Sequence, residues 1–191
     1  MVYKKLDKDR KQERVSIFID GSNFYHSVKK VLKLKERVNY QKLINILADN
    51  NEIVDVFYYI ARLDYNVDIK RYENHEKFLK SLAEIPKLKI KLCNLKKIKT
   101  KDKKFIYVVK SDDIQLAQDI LIGAFDDLYD TAIIVSGDED FLLIINTIKE
   151  RFKKKVINAY FRSSSSYRLR NICDFSIKLN KIIPQFIDEK K

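Results

Sequence analysis

Two short apolar runs rich in β-branched residues, Val15–Ile19 (VSIFI) and Thr131–Val135 (TAIIV), run into Asp20-Gly21 and Ser136-Gly137-Asp138. Runs of this length bounded by turn residues read as buried strands. Further strands are expected over Ile53–Leu63, Lys87–Leu92, Phe105–Val109, Lys155–Tyr160 and Asp174–Leu179. Between them, apolar residues recur at helical spacing. The pattern predicts helices from Ser22 to about Leu34, over Tyr40–Asp49, over Asp68–Ile85, from a Ser111 cap to Tyr129, over Asp140–Phe152 and over Ser165–Ile172. On the helix after Ser111, residues Ile114, Ala117, Leu121, Ala124, Phe125 and Leu128 are expected to face inward. Strands alternating with helices imply an α/β protein whose mostly parallel sheet is covered on both faces.

With 191 residues and 46% hydrophobic content, the chain has material for one core. Residues 1–14 read as a flexible basic arm, 15–180 as the folded domain and 181–191 as a C-terminal tail. The segment Lys96–Lys104 (KKIKTKDKK) reads as a basic loop. No uncharged run approaches the roughly 20 residues that a membrane span needs, and Met1–Arg14 is charged where a leader would be apolar. Two cysteines, Cys93 and Cys173, make no disulfide framework, so a reduced, cytoplasmic setting is expected. Two histidines leave little basis for a zinc site, and the three glycines match no phosphate-binding loop or dinucleotide fingerprint.

Charge is unevenly distributed. The chain carries +12, yet Ser111–Ile148 has eight Asp, one Glu and neither Lys nor Arg, which leaves the other residues at +21. A basic surface suits a polyanion such as nucleic acid, and an acidic centre suits cations.

In an open parallel sheet, ligands bind beyond the carboxyl ends of the strands, where the strand order reverses. If the two apolar runs are central neighbours, Asp20, Asp138 and Asp140 emerge on one rim, and Ser111-Asp112-Asp113 joins them from the end of another strand. Carboxylates so close repel unless a cation or proton intervenes, and hard oxygen donors suit Mg²⁺ or Mn²⁺. Taken singly, Asp113 and Asp138 also fit the first turns of helices, and Asp20 fits a turn. Lys110, Arg162, Arg168 and Arg170 are the cations expected near the rim to grip phosphate, and Tyr25 and Tyr65 are candidates for stacking on unpaired bases.

At these residues a family resemblance emerges. Phe18-Ile19-Asp20-Gly21-Ser22-Asn23-Phe24-Tyr25, Lys110-Ser111-Asp112-Asp113 continuing to Asp119, and Ser136-Gly137-Asp138-Glu139-Asp140-Phe141 resemble the NYN domain. More narrowly they resemble its LabA-like branch within the PIN-like nuclease superfamily. Ser166-Tyr167-Arg168-Leu169 and Cys173-Asp174-Phe175 resemble the family's closing segment. The Ser111-Asp112 pair departs from the usual Lys-Gly-Val-Asp, and the spacing to Asp119 selects Asp113 as the matching carboxylate.

The resemblance implies a three-layer α/β/α sandwich and metal-dependent cleavage of RNA, with Mg²⁺ or Mn²⁺ as cofactor. Asp20 and Asp138 would be direct ligands, Asp113 and Asp140 would complete the cluster, and Ser22, Asn23 and Ser136 would contact substrate or orient carboxylates. Asp119 lies about 600° further around its helix than Asp113 and is expected to have a structural part. A second reading is a nonhydrolytic RNA-binding regulatory adaptor with the same fold. A dehalogenase-type phosphatase is disfavoured, because its second Asp is replaced by Ser22. An exposed sheet edge would allow a homodimer.

Overall fold

The computed structural model describes residues 12–63, 68–99, 105–110 and 112–189, and of 94–99 and 105–110 the backbone alone. In chain order the elements are β1 (Arg14–Asp20), α1 (Gly21–Val28), β2 (Glu36–Val38), α2 (Tyr40–Ala48), β3 (Glu52–Ala61), α3 (Ile69–Ala83) and β4 (Leu88–Lys99). There follow β5 (Phe105–Lys110), α4 (Asp112–Phe125), β6 (Thr131–Val135), α5 (Leu142–Phe152), β7 (Lys155–Tyr160), α6 (Tyr167–Ile172), β8 (Phe175–Lys178) and β9 (Ile187–Glu189).

The main sheet has the order β5-β4-β3-β1-β6-β7-β8. Its neighbours run parallel except β4 and β5, which are antiparallel. From β1 the chain builds outward through β3 and β4, then returns to lay β6, β7 and β8 on the other side. The order therefore reverses between β1 and β6, the crevice where α/β sheets bind ligands.

Alternation along the strands loads both faces. Val15, Ile17 and Ile19 join α1, α2 and α3 residues such as Phe24, Leu43, Leu47 and Leu82 in one buried cluster. Phe18 joins Leu116 and Ile120 of α4, Ile145 and Ile148 of α5, and Leu169 of α6 in the other. The result is the three-layer α/β/α sandwich. Among the described residues, no helix is long and apolar enough to cross a membrane.

Several local expectations are corrected. Helix α1 stops at Val28 instead of continuing to Leu34, which is 91% exposed. The following Glu36–Val38 pairs antiparallel with Ile187–Glu189, a ladder between segments distant in sequence that no local pattern announces. The segment expected as a C-terminal tail thus supplies β9, and Phe186 is fully buried. At the other end, Arg14, assigned to the arm, lies in β1 and pairs with Asp127 and Asp130. Residues 1–11 lie outside the described residues.

Lys96–Lys99 belong to β4, extended against Phe105–Val108, instead of forming a loop; residues 100–104 lie outside the description. On α4 Ala124 is buried as expected, but its companions on the inward face are Leu116, Ile120 and Gly123, whereas Ile114, Phe125 and, past the end of the helix, Leu128 are exposed. This helix is apolar on more than one side. Close packing selected the side with a glycine: a Cβ on Gly123 would stand 2.7 Å from Cε1 of Tyr129.

Candidate active site

The register sets Ile19 beside Val135, so the residues that follow, Asp20 and Ser136, leave the sheet together at its switch point. Asp20 is 6% exposed and caps α1, its Oδ1 accepting the Asn23 N–H at 2.9 Å. Its Oδ2 accepts from the Ser136 hydroxyl at 2.9 Å. The same Ser136 Oγ accepts the Asp138 N–H at 3.1 Å, and Asp138 Oδ1 accepts the Asp140 N–H at 3.0 Å. Asp20, Ser136, Asp138 and Asp140 therefore form one hydrogen-bonded chain across the β1–β6 crevice. Asn158 holds its far side by donating to the Ser136 carbonyl at 2.7 Å.

Asn23 is fixed from a third segment. Its Oδ1 accepts from Gly137 N–H at 3.3 Å and from the Ser164 hydroxyl at 3.0 Å, while Ser27 donates to Ser164 at 2.9 Å. This packing requires glycine at two places. A Cβ on Gly137 would lie 1.7 Å from the Ser164 carbonyl oxygen, and one on Gly21 would lie 2.3 Å from that of Tyr59.

Asp112 and Asp113 reach the rim by a different route. β4 pairs with β3 as far as Cys93, then runs past the rim, and β5 folds back until Lys110 meets Asn94. Helix α4 consequently starts at rim level. The side chain of Lys110, and all of Ser111 and Tyr65, lie outside the described residues.

Electrostatics ties these carboxylates together. Burial raises the Asp20 carboxyl above its ordinary range, with Asp112 and Asp138 adding to the rise and the Asn23 N–H and Ser136 hydroxyl opposing it. Asp113 is pushed up to about 6, chiefly by burial, then by the charges of Asp112, Asp20, Asp138 and Asp140. Among the described residues, no three acidic, His or Cys side chains stand close enough to grasp one ion together. The donor set still fits a hard cation. Mg²⁺ commonly keeps much of its water and takes one or two carboxylates plus substrate phosphate, without an all-protein cage.

Other expected residues have different employment. Arg168 is ion-paired with Glu139 at 2.6 Å, and Ser166, the cap of α6, donates to the same carboxylate at 2.8 Å. Arg170 lies over the Tyr160 ring at 5.0 Å and hydrogen-bonds to Ser165. Arg162 is exposed, with its backbone N–H donating to Asn180. Asp119 accepts from Tyr59 and pairs with Lys91, each at 2.9 Å, as a structural group beneath the rim. Ser22 follows Gly21 on the wall of an adjacent cleft. Sequence reasoning missed Ser27, Asn158 and the part that Ser164 plays in holding Asn23.

Residues 14–180 match the model of the NYN domain. The chain belongs to the NYN domain family. That family lies within the PIN-like nuclease superfamily. A solved structure, the "protein of unknown function VPA0982" from Vibrio parahaemolyticus RIMD 2210633, is 22% identical over 96% of this chain and 100% of its own, with a TM-score of 0.68. At that identity the likeness concerns the fold alone. A search of curated proteins finds no match. For this NYN domain, the family motifs Asp20-Gly21-Ser22-Asn23 and Ser136-Gly137-Asp138 are the two segments that the structure binds to each other.

Proposed function

We propose that this NYN domain, of the LabA-like branch, is a cytoplasmic ribonuclease that uses Mg²⁺ or Mn²⁺ to hydrolyse RNA phosphodiester bonds. The observation that carries the reading is the hydrogen-bonded chain of Asp20, Ser136, Asp138 and Asp140 across the β1–β6 crevice, with Asp112 and Asp113 in the first turn of α4 at the same rim. Carboxylates gathered on one rim repel one another unless a cation or proton intervenes. Asp20 and Asp138 are the residues assigned to hold it, with Asp113 and Asp140 alongside. Bound there, the ion would neutralise nonbridging phosphate oxygens and ease deprotonation of the attacking water.

The chain's own groups do the positioning. Ser136 and the Asn23 N–H fix both oxygens of Asp20, so its carboxylate meets substrate without reorganising. Asp113 is assigned as the acceptor, at its carboxylate, of the proton that water loses on attacking phosphorus. The 3′ oxygen departs and takes a proton from solvent, leaving a 3′-hydroxyl and a 5′-phosphate, and Asp113 returns its proton to solvent. Lys110 and the exposed Arg162 are assigned to the flanking phosphates.

One observation favours a second reading, a nonhydrolytic RNA-binding adaptor: no three metal-ligating side chains are gathered among the described residues. The deciding experiment incubates a mixed-sequence single-stranded RNA with Mn²⁺ or Mg²⁺ and wild type, Asp20→Asn or Asp138→Asn. The nuclease reading expects metal-dependent cutting that falls by about a hundredfold or more in both variants while their melting profiles persist. Absence of cutting with salt-sensitive RNA binding retained selects the adaptor.

A further inference from the structure

On the opposite side of β1 from α4, the rim opens into a cleft of about 350 Å³ between α1 and α3. The cleft is continuous with the carboxylate site, because Gly21 and Ser22, the two residues after Asp20, form part of its wall. Its floor is the end of β3, Ile60 and Ala61, and its sides carry Tyr25, Tyr58 and Phe78. Tyr25 is 52% exposed, with the Lys29 ammonium 5.7 Å from its ring centre. Polar groups converge from α3: Arg71 and Asn74 are exposed at the cleft, and His75 is half-buried. Nε2 of His75 is buried with no hydrogen-bond partner among the described residues.

The two sides of the rim differ in charge. From Asp112 to Ile148, the segment containing α4 and the start of α5, there is no Lys or Arg. A polyanionic strand is repelled from the acidic start of α4, and on the cleft side it meets Lys29 and Arg71. A flat apolar body with polar edges, attached to the strand there, would find aromatic walls and convergent hydrogen-bonding groups.

We propose that this cleft is a nucleobase subsite, which takes one unpaired base of the nucleotide adjoining the Asp20 rim. The proposal rests on the RNA-cleaving reading above and gives it a substrate class, single-stranded RNA. A paired base is held in its stack and cannot enter a cleft walled by two helices.

The test uses the full chain in EDTA, where divalent-metal chemistry is stopped. Fluorescence anisotropy compares a mixed-sequence single-stranded RNA of about ten nucleotides with the same backbone bearing abasic sites. Tyr25→Ala removes the exposed ring, and Asn74→Trp plugs the cleft from an exposed helical position. Wild type is expected to bind the base-bearing strand about tenfold more tightly than the abasic one, and each substitution to erase that difference. Equal affinity for the two strands, no binding of either, or a preference that survives either substitution in a folded variant overturns the subsite. Cleavage with Mn²⁺ is read separately. A base preference without cleavage keeps the subsite and removes the hydrolytic reading, and cleavage without a base preference does the reverse.

Discussion

The Ser136 hydroxyl donates to the Asp20 carboxylate at 2.9 Å, across 116 residues of sequence, and joins the ends of the two central strands. Ser136 is itself 2% exposed, so this is a charge-assisted bond shielded from water. It fixes one Asp20 oxygen and, through the Asp138 N–H, the turn that carries the next two carboxylates.

Ser136→Ala should therefore loosen the site without emptying it. Loss of a hydrogen bond to a charged, buried group costs about 2 kcal/mol. With one opposing influence gone, the Asp20 carboxyl should titrate higher still, so the acid limb of the pH–rate profile should move to higher pH. Melting curves and pH–rate profiles of the variant check both points. An unmoved acid limb would show that Asp20 does not govern the rate.

Asp113 gives a pH prediction with a definite sign. Its carboxyl is at about 6 in the fold against 3.8 in the open chain, so the folded state binds the proton more tightly. Its contribution to stability is most favourable below the lower value and is lost as pH rises through the upper one. In EDTA, stability from this group should fall between about pH 4 and pH 6. Asp113→Asn should flatten that fall and stabilise the metal-free protein by about 1 kcal/mol at neutral pH, the half-exposed charge being partly screened by water. Thermal melts across pH test this; a variant less stable than wild type at pH 7 would contradict it. The same substitution should suppress cleavage.

Arg162 and Arg168 were equivalent phosphate-binding candidates in the sequence, and the structure separates them. Arg168 is neutralised by Glu139, while Arg162 is exposed at the start of the segment that positions Asn23. Arg162→Ala should weaken RNA binding and lower the salt slope by about 0.7, the share of one phosphate contact. Arg168→Ala should change the slope less and shift stability by under about 1 kcal/mol. RNA titrations at several salt concentrations decide it; the reverse ranking would refute the assignment.

Phe186→Ala tests the correction at the C-terminus. The ring is fully buried with Leu179 and Ile182 in the cluster beneath α1 and α2. Truncation should cost about 3–5 kcal/mol, a loss that urea unfolding resolves readily. A change near zero would restore the tail.

The main strands and helices were legible because each repeats a local period. TAIIV is buried at all five positions, and α2 begins after its Asn39 cap and ends at a left-handed Asp49. The aspartates of the site were legible for a related reason: they sit where an apolar run stops, and the family motifs mark the same places. Face selection was less legible on α4. Ile114, Ala124 and Phe125 have the spacing of one buried stripe, yet of these three Ala124 alone is buried, and Gly123 on another side allows Tyr129 to approach more closely.

By itself, then, the sequence determined the order of strands and helices and which carboxylates leave the strand ends, since both follow from contacts between near neighbours in the chain. The tertiary structure alone decided that Ser27 and Ser164 hold Asn23, that Glu139 takes Arg168, that β9 closes on β2, and that a cleft opens beside Asp20. Those pairings span from 29 residues, for Glu139 and Arg168, to 153, for Glu36 and Glu189. At such separations no local preference chooses the partner; it is chosen by the way two covered faces of one sheet pack together.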